Sequence, residues 1–289
     1  VRDMRRRREN PRFLPGVALP PELRLTADPG EALAGRDLVI LASPTSYMRS
    51  VLEVLRTADP PADALYVNVA KGIEVDTLKR MSEVVAEVLG GVNCAVLSGP
   101  SHAEEVARGV PTAVVSASAD RGAAVAVQNA LMDETFRVYT SDDVTGVELG
   151  GSLKNVLALA AGICDGMELG DNSKAALMTR GIAEMARLGA ALGGRAETFS
   201  GLSGVGDLIV TCISRHSRNR HVGEELGRGR SLEDIQQGMG LMVAEGVRTA
   251  DSAYRLARRA GAETPIIDEV HAGLYEGKDP RQALRDLMS

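Results

Sequence analysis

The hydrophobic pattern changes its period once, near Ser141, and this change limits the chain to few architectures. Before it, short runs of Val, Leu, Ile and Ala alternate with stretches of helical periodicity. The predicted strands are 23–27, 37–43, 65–72, 94–100, 112–118 and 136–142, and the predicted helices are 46–58, 76–90, 102–109 and 121–132. Apolar strands that do not alternate and are separated by helices are typical of a parallel sheet covered on both faces. The first part is therefore predicted to be a doubly wound α/β fold.

The chain after Ser141 has no strand-like run and carries helical periodicity instead. The predicted helices are 144–168, 173–193, 231–239, 247–261 and 265–277. Apolar residues that recur at helical spacing over this length predict an all-α domain. We therefore expect a Rossmann-type domain over 1–141, an all-α domain over 142–289, and a ligand-binding cleft between them.

Charge and composition argue against several kinds of function. A net charge of −6 disfavours a nucleic-acid or membrane-surface binder. The basic run Arg5–Asn10 is either a nucleic-acid patch or, more commonly, a solvated helix face. The three cysteines and four histidines show no metal-ligand spacing, and we see no apolar run of bilayer-spanning length and no signal peptide. These features predict a cytoplasmic protein with no nucleic-acid binding, no membrane insertion and no metal.

Two polar clusters lie at the carboxyl ends of predicted strands, where ligands of open parallel sheets bind. Lys71, at the end of the strand 65–72, could neutralise an anion, and the alternative is a solvated loop lysine. Ser98–Glu105 opens a helix with Ser101 as its predicted N-cap. The free backbone N–H groups there predict an anion site. The alternative is a simple cap whose two glutamates complement the helix dipole.

A third cluster surrounds Lys154 in the predicted helix 144–168. Two glycines and a serine precede this lysine, and Asn155 follows it. Small residues allow a ligand or another backbone to approach closely. The apolar run after Lys154 favours burial, which lowers the pKa of a lysine toward the range useful for proton transfer. The alternative is a lysine that extends to the surface.

The fourth cluster lies in the glycine-rich segment Gly201–Arg220. Its glycines are spaced GxxGxG, the reverse of the dinucleotide-binding GxGxxG, and no strand precedes them, so we reject a dinucleotide loop. Its polar residues are Asp207, Thr211, Ser217, Arg218 and Asn219. An arginine beside hydroxyl and amide donors is a good phosphate clamp, whereas the alternative is a structural connection with surface arginines. Together the four clusters indicate a small phosphorylated substrate.

Seven segments carry motifs of one known family, among them "GPSHAEE", "LGGSLKN" and "SRNR". They are Arg8–Leu23, Val69–Glu74, Leu97–Val114, Gly146–Gly166, Thr179–Gly193, Gly201–Arg220 and Val243–Ala250. With them the chain resembles the bacterial-type NAD(P)-dependent glycerol-3-phosphate dehydrogenases. The resemblance implies a helical domain of the 6-phosphogluconate dehydrogenase C-terminal type. It also implies that NAD(H) or NADP(H) is used to interconvert dihydroxyacetone phosphate and sn-glycerol 3-phosphate for glycerophospholipid synthesis.

The resemblance further implies roles for single residues. Lys154 resembles the family's proton donor and acceptor, Lys71 resembles a second lysine that contacts substrate and cofactor, and Asp207 resembles a carboxylate that binds substrate and orients Lys154. The other implied substrate contacts are Gly99, Ser101, Asn155, Thr211, Ser217, Arg218 and Asn219. The other implied cofactor contacts are Ala103, Arg218, Val243 and Glu245. The resemblance also implies a homodimer.

One family motif is not found in the given sequence. The GxGxxG phosphate loop of the family precedes the segment that Arg8–Leu23 resembles, and these 289 residues contain no such motif. We therefore expect an N-terminally incomplete Rossmann-type sheet, with the missing βαβ segment upstream in the natural protein. The strand 23–27 would then lack its neighbour, and the strand 37–43 would form an exposed apolar edge.

Two other functions remain open at this point. The first is a truncated or degenerate relative that binds no cofactor and acts as a non-catalytic phosphometabolite-binding protein. The second keeps the chemistry but acts on another phosphorylated or carboxylated hydroxy compound.

Overall fold

The computed structural model describes residues 1–239 and 243–289, and its described strands all precede Asp142. The strands are β1 (Glu9–Asn10), β2 (Leu14–Ala18), β3 (Leu38–Leu41), β4 (Leu65–Asn68), β5 (Cys94–Ser98), β6 (Thr112–Ala117) and β7 (Phe136–Ser141). The helices among them are α1 (Arg2–Arg7), α2 (Pro29–Leu33), α3 (Thr45–Thr57), α4 (Met81–Leu89), α5 (Ala103–Val106) and α6 (Arg121–Leu131). The predicted alternation of strands and helices is thus present from β3 onward.

The main sheet has the order β3-β4-β5-β6-β7, and one of its four pairings differs from the prediction. β6 runs antiparallel to β5, with Leu97 opposite Ser116, whereas the other three pairs are parallel. The cause lies in α5, which has only four residues. A parallel connection normally needs a crossover helix that carries the chain back along the strands, and α5 is too short for that. The sheet is therefore mixed, not purely parallel.

Helices cover both faces of this sheet. Adjacent residues of a strand point to opposite faces, and in β4 Tyr66 packs with Met48 of α3 and Val84 of α4. Its neighbour Val67 packs with Val127 of α6 on the other face. The doubly wound arrangement predicted from the apolar strands is confirmed.

The N-terminal segment differs from the prediction. β1 and β2 form a separate antiparallel pair, and within the described chain Leu23–Ala27 forms no strand. Two of its carbonyl oxygens instead accept hydrogen bonds from arginine side chains, that of Leu25 from Arg5 Nε at 2.6 Å and that of Leu23 from Arg8 Nη1 at 3.1 Å. β3 pairs with β4 alone among the described strands, and its Ile40 is 47% exposed, as expected for an apolar edge.

The part that follows β7 is helical throughout its described length. Its α-helices are α7 (Val144–Gly166), α8 (Gly170–Ala191), α9 (Asp207–Ile213), α10 (Arg218–Gly227), α11 (Leu232–Met239), α12 (Glu245–Ala260), α13 (Pro265–Tyr275) and α14 (Pro280–Met288). A 3₁₀ turn (Ala196–Ser200) and a π turn (Leu202–Gly206) connect α8 to α9. The predicted all-α character is confirmed, although α9, α10 and α14 were not predicted as helices.

The helical part is built around α7. Every residue from Gly146 to Gly162 is buried, and the apolar core around them draws on α8, α12 and α13. A helix that is apolar on all sides is expected to be surrounded by protein or lipid. By length and composition α7 could cross a membrane, contrary to the expectation of no such run, but 89% of its most apolar stretch is buried inside the protein. A helix buried to this extent is typical of a protein core.

Glycines allow α10 to lie directly on the backbone of α7. A Cβ built at Gly223 would overlap the carbonyl oxygen of Leu159, and one built at Gly162 would overlap that of Arg220. Gly166 and Gly227 make the same kind of approach one turn further along. We call these four glycines the α7–α10 seam. Because it brings the backbones together, the seam determines how close the start of α10 lies to Lys154 and Asn155.

The seam predicts a large effect for a single methyl group. Gly223→Ala must push α10 away from α7, because the obstructing atom is backbone and cannot change rotamer. We expect a loss of unfolding free energy of about 2 kcal/mol or more, as for other overpacked cores. Urea unfolding followed by circular dichroism measures this loss.

Gly238→Ala is the matched control, since a Cβ at Gly238 in α11 meets no atom within 4 Å. It should raise stability by about 0.5–1 kcal/mol through helix propensity alone. Equal stability of Gly223→Ala and the unmodified protein would show that the seam is not tightly packed.

Candidate active site

The candidate active site lies where the carboxyl ends of β4 and β5 meet α7 and α9. Lys71 follows β4 by three residues, and Gly99 follows β5 directly. Because β4 and β5 are parallel neighbours, both loops leave the same edge of the sheet. Lys154 lies in the buried stretch of α7, and Asp207 is the first residue of α9. The fold thus brings together Lys71, Lys154 and Asp207 from three separate elements.

Asp207 holds the two lysines with its two carboxylate oxygens. Its Oδ2 accepts a hydrogen bond from Lys71 Nζ at 2.7 Å, and its Oδ1 lies 3.0 Å from Lys154 Nζ. Lys71 Nζ also donates to the carbonyl oxygen of Gly99 at 2.7 Å. Lys154 and Asp207 are only 6% and 2% exposed. A buried carboxylate therefore fixes the ammonium group of a buried lysine.

Burial determines the protonation chemistry of this pair. It lowers the pKa of Lys154 to about 8, while Asp207 acts in the opposite sense and Lys71 adds to the lowering. Burial on its own would raise the pKa of Asp207, but the two ammonium groups outweigh it and keep that pKa below its usual value. Lys154 can therefore exchange a proton near neutral pH beside a carboxylate that remains charged.

Thr211 fixes Lys154 without adding charge to the site. It lies one helical turn after Asp207 and donates its hydroxyl hydrogen to the carbonyl oxygen of Asp207 at 2.6 Å. Its oxygen in turn accepts a hydrogen bond from Lys154 Nζ at 2.7 Å. A hydroxyl can donate once and accept as well, so both bonds form together.

A second chain of hydrogen bonds connects α7 to α10 and α12. Asn155 Nδ2 donates to the carbonyl oxygen of Lys71 at 3.1 Å, and Asn155 Oδ1 accepts from Asn219 Nδ2 at 2.9 Å. Asn219 Oδ1 then accepts the backbone N–H of Gly246 at 2.9 Å. Both side chains are buried. These hydrogen bonds hold α7, α10 and α12 in position relative to one another. Contacts of Asn155 and Asn219 with substrate remain predictions.

The start of α10 carries the remaining residues of the predicted phosphate clamp. Ser217 is the N-cap of α10, and its Oγ accepts the backbone N–H of Arg220 at 3.1 Å. Arg218, the first residue of the helix, is exposed. The N-terminal end of a helix carries partial positive charge and suits an anion.

The residues predicted to contact only the cofactor lie at or near the starts of two helices, α5 and α12. Ala103 is exposed at the start of α5, and Val243 is half-buried just before α12. The Glu245 carboxylate accepts hydrogen bonds from the backbone N–H of Thr45, at 3.0 Å, and from the Thr45 hydroxyl. Glu245 therefore connects α12 to the start of α3, and a cofactor contact from it remains a prediction.

The structure corrects the predicted cap at the start of α5. His102 is the N-cap residue, whereas the Ser101 hydroxyl donates to the carbonyl oxygen of Gly99 at 3.1 Å. Gly99 has a φ of +139°, and a Cβ there would lie 3.0 Å from Val114 Cα. A glycine is needed for this turn, and its carbonyl oxygen accepts from both Ser101 and Lys71.

Sequence reasoning missed two residues near the site, Thr45 and His102. Thr45 forms hydrogen bonds with Glu245, which is 200 residues away in the sequence. A threonine and a glutamate do not by themselves predict such a contact. His102 lies inside the motif "GPSHAEE", but a single histidine without a metal-ligand spacing does not indicate a role. Burial lowers its pKa, and Lys154 and Asp207 both contribute to its electrostatic environment.

A Rossmann-type sheet, a helical part and a buried lysine–carboxylate site at their junction define the class of nicotinamide-dependent dehydrogenases. Comparison with known families supports this class. The N-terminal model of NAD-dependent glycerol-3-phosphate dehydrogenase matches residues 1–124, and the C-terminal model of the same family matches residues 143–285. The chain belongs to the NAD-dependent glycerol-3-phosphate dehydrogenase family.

Individual relatives agree with the family models. The chain is 53% identical to the glycerol-3-phosphate dehydrogenase [NAD(P)+] of Syntrophotalea carbinolica, over 100% of this chain and 87% of that protein. It is also 53% identical to the protein of the same name from Geobacter sulfurreducens, with the same coverage. The crystal structure of glycerol-3-phosphate dehydrogenase from Coxiella burnetii superposes with a TM-score of 0.95 at 39% identity, covering 100% of this chain and 88% of that one.

The geometry predicts how Lys154 titrates. We expect its Nζ to titrate near pH 8 in the unmodified protein, as followed by NMR of the lysine side chain. Asp207→Asn removes the negative charge that favours the ammonium form, so the titration of Lys154 should move to lower pH. Lys154→Met identifies the signal by removing it. An unchanged titration in Asp207→Asn would show that the carboxylate does not act on Lys154.

Proposed function

We propose that this protein interconverts dihydroxyacetone phosphate and sn-glycerol 3-phosphate by hydride transfer with NAD(H) or NADP(H), and so supplies glycerophospholipid synthesis. The observation that carries the proposal is the buried Lys154, which has a lowered pKa and is held by Asp207 at the junction of sheet and helices. Two relatives that are 53% identical over the whole of this chain are named as glycerol-3-phosphate dehydrogenases.

The residues around the junction fit a nicotinamide dinucleotide. Lys71 lies at the carboxyl edge of the sheet and Arg218 is exposed at the start of α10, so cations are available for phosphate groups. Ala103 and Val243 supply small and apolar contacts, and Glu245 lies beside the start of α3. We propose that these residues hold the cofactor, which supplies or accepts the hydride when bound.

Lys154 donates the proton in reduction and accepts it in oxidation. In reduction, negative charge develops on the carbonyl oxygen of the ketone, and the Lys154 ammonium donates the proton that makes it a hydroxyl. In oxidation, the neutral amine removes that proton. Asp207 and Thr211 fix the Nζ atom at a single position, so the proton is presented in one direction.

The positive charge of the site suits the phosphorylated substrate. Lys71 and Lys154 share one carboxylate, and a carboxylate balances only one ammonium group. We propose that Ser217, Arg218 and Asn219 bind the phosphate at the start of α10, and that Gly99, Ser101, Asn155 and Thr211 line the rest of the substrate site. Arginine and a helix N-terminus are both common phosphate-binding groups.

Several finer expectations remain predictions. These are a domain boundary at Ser141, a homodimer and a cytoplasmic location. The alternative of a non-catalytic phosphometabolite-binding protein is not favoured, since the matched relatives are named as enzymes and the buried lysine is present.

The direct test is oxidation of NADH and NADPH by the protein with dihydroxyacetone phosphate, followed by absorbance. Lys154→Met keeps a side chain of similar length without the ammonium group, and it should reduce kcat/KM by about 10²–10⁴-fold. Lys79→Met, at a partly exposed lysine that pairs with Glu87, serves as the control and should retain full activity. Calorimetric binding of dihydroxyacetone phosphate without turnover in the unmodified protein would favour the non-catalytic alternative.

The two directions of the reaction should respond oppositely to pH. Reduction needs protonated Lys154, so its kcat/KM should fall as pH rises through about 8. Oxidation needs the neutral amine, so its kcat/KM should rise over the same interval. Initial rates in both directions between pH 6 and about 9.5 test this, and parallel profiles would show that Lys154 is not the proton-transferring group.

A further inference from the structure

His102 lies in the loop between β5 and α5, directly after Ser101. Its Nε2 is buried and has no hydrogen-bond partner among the described residues. Buried ring nitrogens are nearly always paired, and an unpaired one is costly enough to need an explanation. The proposed reaction gives this atom no role.

The surroundings of His102 are those of the candidate active site. The charges that act on it belong to Lys154, Asp207, Glu104 and Lys71, three of which form the lysine–carboxylate cluster. Burial is the largest influence and lowers its pKa, so the ring is neutral at pH 7. A neutral imidazole nitrogen can donate or accept one hydrogen bond, according to its tautomer.

His102 also lies near the residue that precedes the start of α10. Its ring centroid lies 6.2 Å from that of His216, and the two rings are tilted by 54°. His216 directly precedes Ser217 and the start of α10. His102 is therefore near both the proposed proton donor Lys154 and the segment proposed to bind phosphate.

We propose that His102 is a further substrate-contacting residue, whose Nε2 forms a hydrogen bond with an oxygen of the phosphorylated three-carbon substrate. This inference rests on the proposed function, because it places that substrate between Lys154 and Ser217. The bond orients the substrate from the loop that follows β5. His102 thereby selects for substrates with an oxygen at this position.

Three variants separate this contact from a packing role. His102→Phe keeps a ring of similar size but removes both nitrogens, whereas His102→Gln keeps an amide near the position of Nε2. His221→Phe, at an exposed histidine on α10, is the matched control. The measurements are kcat/KM for dihydroxyacetone phosphate and for unphosphorylated dihydroxyacetone, together with KM for NADH.

We expect His102→Phe to lower kcat/KM for dihydroxyacetone phosphate by about 10-fold, the size of one lost hydrogen bond. His102→Gln should recover most of this loss, and His221→Phe should equal the unmodified protein. KM for NADH should not change in any of them. A loss confined to the phosphorylated substrate places the contact on the phosphate, and an equal loss with dihydroxyacetone places it on the carbonyl or hydroxyl oxygen.

Unchanged kcat/KM in His102→Phe for both substrates would overturn the inference. So would a loss that His102→Gln does not recover, or one that raises KM for NADH equally, because either result indicates packing. If His102→Phe does not fold, NMR of the His102 ring in the unmodified protein decides, since sn-glycerol 3-phosphate must shift its Nε2 resonance. An unmoved resonance in a protein that binds sn-glycerol 3-phosphate contradicts this inference alone, whereas absence of both turnover and binding contradicts the proposed function.

Discussion

The buried carboxylate of Asp207 is the contact on which the arrangement of the site depends. A charged group at 2% exposure is strongly destabilising unless it is paired. Asp207 is paired twice, with Lys71 from the sheet and with Lys154 from α7. Asp207 and Lys154 both belong to the helical part, whereas Lys71 belongs to the sheet edge, so separation of the two parts would break the Lys71–Asp207 pair. The ion cluster therefore fixes how the helical part sits on the sheet edge.

Packing and chemistry use different sides of the same helix. Asn155, Leu159, Gly162 and Gly166 are spaced by three or four residues, so they lie on one side of α7 and all face α10. Lys154 precedes Asn155 by one residue and is therefore rotated by about 100°, which directs it to α9. The glycine seam can hold α10 tightly without occupying the side that carries the proton. This separation explains why both small residues and a lysine occur in one buried helix.

Much of this arrangement was readable from the sequence, and the failures have physical causes. Periodicity predicted α7, and the apolar run after Lys154 predicted the burial of that lysine. Strand direction was not readable, because β6 is antiparallel only through the shortness of α5. The helix α9 directly follows the glycine-rich run that ends at Gly206, and α10 contains the seam glycines Gly223 and Gly227, so both segments looked like loops in the sequence. His102 was missed because one histidine without a spacing partner gives no signal, and only its buried nitrogen shows that it matters.

On the proposed function, the two lysines and one carboxylate also explain how a lysine can transfer the proton near neutral pH. A lysine exposed to water would hold its proton too tightly at neutral pH, but burial brings the pKa of Lys154 to about 8 without neutralising Asp207. On the proposed function, the cluster carries an uncompensated positive charge while Lys154 is protonated, which attracts the phosphorylated ketone. Once the proton passes to the substrate, Lys71 and Asp207 balance each other and this attraction disappears. The desolvation that tunes the proton donor thus also weakens the hold on the product, so that one buried ion cluster favours both the chemical step and release.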